Sequence, residues 1–380
     1  MKSIKTQSIV VVLIITLFWS CSNNVSNDPA PTGEGNNRRE ILIHWVDNII
    51  VPSYQRFETK LDVMVAKGQD FTNTPNNQTL LALRTAWVEA YVEWQKVEVF
   101  EFGAADRYAL RTFFNIYPAD VNGIMANIND PTANLNIPAA YARQGFPALD
   151  YLINGSGTDD NAILAFYTNH ADAAKRKAYI TTLLTRMSEM IDNVIAYWNK
   201  NEREAFISKT GLDIGSSMGL AVNAYVLHYE KYIRSGKIGI PAGATANSAG
   251  VAHPETVEAY YKKDISLILT QTAHQAAVDF FNGKNVTTGE NGLGFKAYLN
   301  AIGAKDNSSG KDLSSIINDQ FTVAKGKIDL LPPDFFQQIN TDRSKMIDAF
   351  TEMQKAVRMI KVDMTSAMSI TITYTDNDGD

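Results

Sequence analysis

A chain of 380 residues with a formal charge of −6 and no basic cluster lacks the cationic face that nucleic-acid phosphates require. One cysteine and five histidines exclude a thiolate metal centre and an internal disulfide framework. The apolar fraction of 45% is that of a globular protein, and the roughly 340 residues beyond an N-terminal leader are more than one hydrophobic core usually serves, so two domains or a two-lobed bundle are expected.

In chain order, Lys2 and Lys5 form a short basic segment, and an apolar run follows from Ile9 to Trp19, broken by Thr16. That run is too short to span a bilayer and reads as a secretion signal. It ends in Phe18-Trp19-Ser20-Cys21, which resembles the lipobox of bacterial lipoproteins. Residues 1–20 are therefore expected to be a lipoprotein signal peptide and Cys21 the lipidated residue. Residues 21–38, rich in Ser, Asn, Pro and Gly, cannot bury enough apolar surface to offset ordering entropy and read as a flexible tether. The body is then expected in the cell envelope, held by its lipid to the outer membrane on the periplasmic side or at the cell surface. Beyond the leader there is no stretch of eighteen apolar residues, so the lipid is the expected membrane attachment.

The remainder carries helical periodicity. It predicts a helix from Glu40 to Ala66 kinked at Pro52, then one from Thr79 to Phe100 in which Leu83, Trp87, Tyr91 and Trp94 recur at spacings of three and four. Further helical patterns run from Ala173 to Trp198, Gly215 to Ile233, Pro254 to Phe281, Ser314 to Lys325 and Arg343 to Met368. Only Ser369 to Tyr374 alternates like an extended segment. The expected fold is all-α, as two helical-bundle lobes: 39–205 N-terminal and 206–380 C-terminal. A short echo agrees with a duplication as one origin of the two: Gly145-Phe146-Pro147-Ala148 before Tyr151-Leu152, and Gly294-Phe295-Lys296-Ala297 before Tyr298-Leu299.

Several residues carry candidate chemistry. Glu98 continues the Trp87, Tyr91, Trp94 stripe toward a core or cleft, and Glu101 lies one turn further on, so the two carboxylates share a face as oxygen ligands or an acid–base pair, or else the helix frays there into solvent. His228 lies beside the apolar stripe of its helix, as a hydrogen-bonded structural residue or as a ligand. Tyr225 and its neighbouring tyrosines either fill a core or stack on a ligand. A His-Glu-x-x-His zinc motif, a Gly-x-Ser-x-Gly nucleophile motif and a P-loop are all missing. The tail Asp376-Asn377-Asp378-Gly379-Asp380 falls short of a calcium loop, which needs a third acid before its glycine and a glutamate beyond it.

Gln144 to Gly155 resembles the signature region of the imelysin-like proteins, whose motif is Gly-x-His-x-x-Glu. Trp94 to Gly103, Arg234 to Gly243 and Lys361 to Asp380 are similar to three other segments of that family, in the same order, so the resemblance spans nearly the whole body. It implies an all-helical fold of two bundle-like lobes in envelope proteins tied to bacterial iron uptake and also catalogued as metallopeptidases. The motif maps onto Gly145, Pro147 and Asp150, so Pro147 stands where the family has histidine and Asp150 where it has glutamate. Proline offers neither an imidazole nor a backbone N–H.

The leading expectation is therefore a non-catalytic binding component of the cell envelope that takes part in iron or iron-complex uptake, near an outer-membrane transporter. Its cleft would be lined by Gly145, Pro147, Asp150, Glu98, Glu101, Tyr225, His228 and Arg234, the last as a clamp for an anion. Asp150 and Glu98 would hold any metal, iron or another hard cation. The alternatives are a metallopeptidase of the imelysin type and a surface lipoprotein that captures glycans or peptides.

Overall fold

The helix Asn77–Val97 shows how local chemistry sets the architecture. Asn76 accepts a hydrogen bond from the Thr79 backbone N–H at 3.0 Å while the Asn76 backbone N–H donates to the Thr79 hydroxyl at 3.1 Å, a reciprocal cap that fixes where the helix begins. From that start Leu80, Leu83, Trp87, Tyr91 and Trp94 all fall on one buried face, as the periodicity predicts. The computed structural model describes residues 38–375. The expected signal peptide, Cys21, most of the tether and the acidic tail lie outside the described residues.

Two groups of helices form around that element. In the first, Val51–Asn73 and Asn77–Val97 pack on each other, and Val51–Asn73 also packs on Ala173–Tyr197. Phe57 meets Trp94 at 5.5 Å between ring centroids. Gly68 lets the long helices approach closely, since a Cβ there would lie 2.1 Å from Leu184 Cδ1. In the second, Ser217–Leu227 runs on into its continuation His228–Gly239, Ser266–Phe281 and Ser344–Arg358 pack on that continuation, and Leu313–Ile328 packs on both of these helices. That continuation is a π-helix of 12 residues, with i→i+5 bonding, a geometry found mostly as single turns and often at functional sites.

Asn77–Val97 also packs against Ser266–Phe281, and the buried side chains of both groups form one apolar cluster. The described residues all fall within one compact unit, and the boundary expected at 205 lies inside the helix Arg203–Ser208. The fold is all-helical; among the described residues there is no strand, only an isolated bridge between Lys305 and Asp312. No described helix is long and apolar enough to cross a membrane.

Three local expectations are revised. The helix expected from Glu40 to Ala66 with a kink at Pro52 is observed as Arg38–Trp45, a π-helical turn at Val46–Ile50 and Val51–Asn73, with Pro52 in the first turn of the last, where a missing N–H is tolerated. The helix expected from Pro254 begins only at Ser266, because Ala259 and Lys263 take φ of +57° and +64° and fold the preceding residues into a loop. The segment Ser369 to Tyr374 is not paired in a sheet. It is fastened instead to Asn223, whose amide donates to Thr371 O at 3.0 Å and accepts from Thr373 N at 2.7 Å.

Candidate functional site

The stripe of Asn77–Val97 ends in a single 3₁₀ turn, Glu98–Phe100, which carries Glu98 into the interior at 2% exposure. A carboxylate buried this deeply requires a partner. Arg111, on the short helix Leu110–Phe114, supplies it: its Nε lies 3.5 Å from Glu98 Oε1 and its Nη2 donates to the Glu98 carbonyl at 2.6 Å. The guanidinium also lies 3.9 Å over the Tyr232 ring, where the negative face of the ring favours it. Burial raises the Glu98 carboxyl above its ordinary range, opposed by the nearby cations Lys237 and Arg111.

Arg111 Nη2 also lies 3.5 Å from His228 Nδ1. A guanidinium only donates, so Nδ1 is the accepting nitrogen and the ring proton sits on Nε2. Burial first, and then Arg111 and Lys237, hold His228 well below its usual pKa and therefore neutral. Among the described residues, His228 Nε2 and Glu98 Oε2 have no hydrogen-bond partner. One is a donor and the other an acceptor.

A second carboxylate completes the cluster. Glu258, 2% exposed, comes from the loop before Ser266–Phe281. Its Oε1 accepts from Asn115 Nδ2 at 2.9 Å and from Gln95 Nε2 at 3.1 Å, and its Oε2 pairs with the buried ammonium of Lys237. Tyr91 donates to Asn115 Oδ1 at 2.6 Å, which orients the amide so that its NH2 faces Glu258. Beside this network is a cavity of about 230 Å3, lined in part by Glu98, Asn115, Tyr117, Tyr232, Lys237 and Thr256.

Of the residues expected at the site, Glu98 and His228 are brought together here. Glu101 is adjacent, with both oxygens accepting the Arg111 backbone N–H at 3.2 and 3.3 Å. Burial pushes its carboxyl up to about 7. In the unfolded chain it titrates near the ordinary glutamate value of about 4.3. The folded state thus holds this proton more tightly, so the stability the group contributes is full at low pH and is lost as pH rises toward 7. The Glu101→Gln variant, which never ionises, is expected to gain on the native chain in melting temperature between about pH 4.5 and pH 7.5; a difference that stays constant over that range would refute the assignment.

Tyr225 belongs to the core, where its hydroxyl donates to Ala277 O at 3.2 Å and its ring packs on Phe280 and Phe295. Arg234 is committed elsewhere: it donates to Glu230 O and Ser235 Oγ and lies 4.9 Å over Phe350. Gly145 takes φ of +71°, and a Cβ there would come within 2.2 Å of Phe114 O, so only glycine fits the close approach. Phe146 stacks on Tyr91 at 4.4 Å, and Pro147 is buried in the same short helix, Gly145–Asp150.

Asp150 lies apart from Glu98 and acts as a fastening. Its Oδ2 accepts the Tyr261 backbone N–H at 2.9 Å, and its Oδ1 accepts Lys262 N–H at 3.0 Å and Asn154 Nδ2 at 2.9 Å. Burial pushes its carboxyl up to about 7 despite those bonds. The loop it holds is the one that delivers Glu258. Arg111, Asn115, Lys237, Gln95 and Glu258 were not anticipated, although Lys237 lies within the family-like Arg234 to Gly243 segment and Gln95 follows directly on Trp94.

A family model described as Peptidase M75, Imelysin, matches residues 50–358. The chain belongs to the imelysin family. Iron-regulated protein A of Synechococcus elongatus is 22% identical to it over 204 residues, which are 54% of this chain and 50% of that protein; the match thus spans about half the relative's length. Two solved structures share the fold. One is a candidate iron-regulated protein A precursor from Parabacteroides distasonis, with a TM-score of 0.68 and 17% identity over 88% of this chain and 96% of that one. The other is an imelysin-like protein from Psychrobacter arcticum, with a TM-score of 0.67 and 16% identity over 90% and 98%.

The metal that the imelysin motif implies does not fit the residues in this chain. Pro147 offers no donor, and both Asp150 oxygens are occupied by N–H groups. No group of three His, Cys, Asp or Glu side chains among the described residues is arranged to hold a metal ion. The oxygen-rich set expected from Asp150, Glu98 and Glu101 is not formed, because Asp150 faces the 261–262 loop while Glu98 and Glu101 face Arg111.

Proposed function

We propose that this imelysin-family chain is a non-catalytic binding component of the cell envelope that takes part in iron or iron-complex uptake, held to its membrane by a lipid on Cys21. The observation that carries the reading is the chemistry of the motif region: where hydrolysis would need a metal-bound water held by several ligands, Asp150 instead ties down a loop. What lies between the two helical groups is a small cavity beside Glu98, Asn115, Tyr232 and Lys237. Convergent charged groups of both signs and an aromatic wall suit recognition of a compact polar ligand. The unpartnered Glu98 Oε2, on a residue that lines the cavity, is the group such a ligand would engage. The iron-regulated relatives support the iron link, and an envelope position places a binder near an outer-membrane transporter.

Isothermal titration of the purified protein with ferric and ferrous salts, haem and simple ferric chelates is expected to give one saturable site for a member of that set. In cells the native chain should fractionate with membranes and its Cys21→Ala variant should not. Silence across all the titrants, together with unchanged growth of a deletion strain under iron limitation, would overturn the iron assignment. A Cys21→Ala protein that stays membrane-bound would overturn the anchor.

A further inference from the structure

The helix Asn77–Val97 and the turn after it serve two clefts. Tyr91, Gln95 and Glu98 face the central cluster. Glu93, Lys96 and Phe100, at the spacing of another face, line a larger cleft of about 490 Å3. Its volume is within the range of small-molecule sites, roughly 300–1,000 Å3.

The floor of this cleft is apolar. Phe100 and Phe280 meet edge to face at 5.2 Å, and Ile49 and Val286 extend the surface. Around the floor stand four cations, Arg56, Lys96, Lys284 and Lys325, against three carboxylates, Glu93 and Asp279 in the lining and Asp329 paired to Lys325. A local cationic excess in a chain of net charge −6 runs against the background field and attracts anions. Lys96 pairs with the buried Glu93 at 2.6 Å, Lys284 with Asp279 at 3.5 Å and Lys325 with Asp329 at 2.5 Å. The Lys284–Asp279 pair is partly exposed on both sides, and such pairs are worth about 0–1 kcal/mol, so an incoming anion can displace Asp279 from Lys284 at small cost. Arg56 is exposed and has no ion pair among the described residues.

One end of the cleft is closed by the loop carrying Lys284 and Val286, and that loop is fastened at two points. The Val286 backbone N–H donates to Asn48 O at 2.9 Å, and His44 Nε2 donates to Gly283 O at 2.7 Å. The cations at this end are therefore carried on a held segment, which lowers the ordering cost of binding.

We infer that this cleft is a second binding site, for a small organic anion with an apolar body, such as an aromatic carboxylate or sulfonate. The apolar body lies over Ala276 and Val286, above the buried rings of Phe100 and Phe280, while the anionic head meets Arg56 and Lys284. The site is separate from the central cluster and does not depend on the iron assignment.

The test uses 8-anilinonaphthalene-1-sulfonate, whose fluorescence rises in an apolar site, with 2-naphthoate and the neutral naphthalene-2-methanol as competitors. The native protein is expected to bind the probe saturably at one site, to lose affinity as ionic strength rises, and to release it to 2-naphthoate well before naphthalene-2-methanol. The R56Q/K284Q variant alters two side chains outside the core and is expected to melt like the native chain but bind the probe about tenfold more weakly. Non-saturable or salt-independent binding, equal displacement by the neutral competitor, or full affinity in R56Q/K284Q would each overturn the inference. The salt titration needs no variant and so stands if R56Q/K284Q is unstable.

Discussion

Replacing Arg111 with methionine is expected to cost about 3–5 kcal/mol of folding stability, the usual price of removing one partner from a buried ion pair. The side chain of Arg111 pairs with Glu98, bonds the Glu98 carbonyl, contacts His228 and covers Tyr232; methionine replaces only the packing. Glu98 is left at 2% exposure with one cation fewer to hold its charge. In chemical denaturation the midpoint should fall with an unchanged slope. Adding Glu98→Gln removes the stranded charge, so the double variant should recover a large part of the loss. If R111M/E98Q is no more stable than R111M, the pair is not the source of the cost.

Removing the Asp150 carboxylate has a different signature. Asp150→Ala deprives the Tyr261 and Lys262 N–H groups and the Asn154 amide of their acceptor. These groups are partly exposed, so water replaces some of what is lost, and the expected cost is about 2–3 kcal/mol. The loop is released locally before the fold is lost globally, so amide exchange at Tyr261 and Lys262 should accelerate more than exchange in Asn77–Val97. Because Glu258 rides on the same loop, binding at the central cavity should weaken as well. Exchange rates at Tyr261 and Lys262 that match the native chain would show that Asp150 is not the fastening.

The stripe from Leu83 to Trp94 was legible in the sequence because a long amphipathic helix repeats its instruction every turn, and Glu98 at the next step is buried as that stripe implies. Arg111 and Asn115 come from a five-residue helix and its C-cap, too short to show a period. Glu258 was hidden by a different cause. The apolar pattern from Pro254 looks helical, and only the left-handed backbone at Ala259 and Lys263 turns it into a loop that reaches the site. Tyr225, open in the sequence between core and ligand, packs in the core; the run Ser217–Leu227 is apolar almost throughout, so it carries no polar face to distinguish the two. The family-like motif was visible as a motif, yet the role of Asp150 depends on two N–H groups more than a hundred residues away.

The π-helix His228–Gly239 holds His228, Tyr232 and Lys237, which all face the central cluster, within one continuous segment. An α-helix turns by about 100° per residue and a wider helix by less, so the angular phase between His228 and Lys237 is set by how many residues the segment contains. Deleting one residue and letting the segment relax to ordinary α geometry would swing Lys237 away from Glu258, while the apolar seam of Ser217–Leu227 stayed in place. Segment length here is thus a tuning parameter. Homologous chains that differ by one residue in it would keep the bundle and present a differently charged cavity.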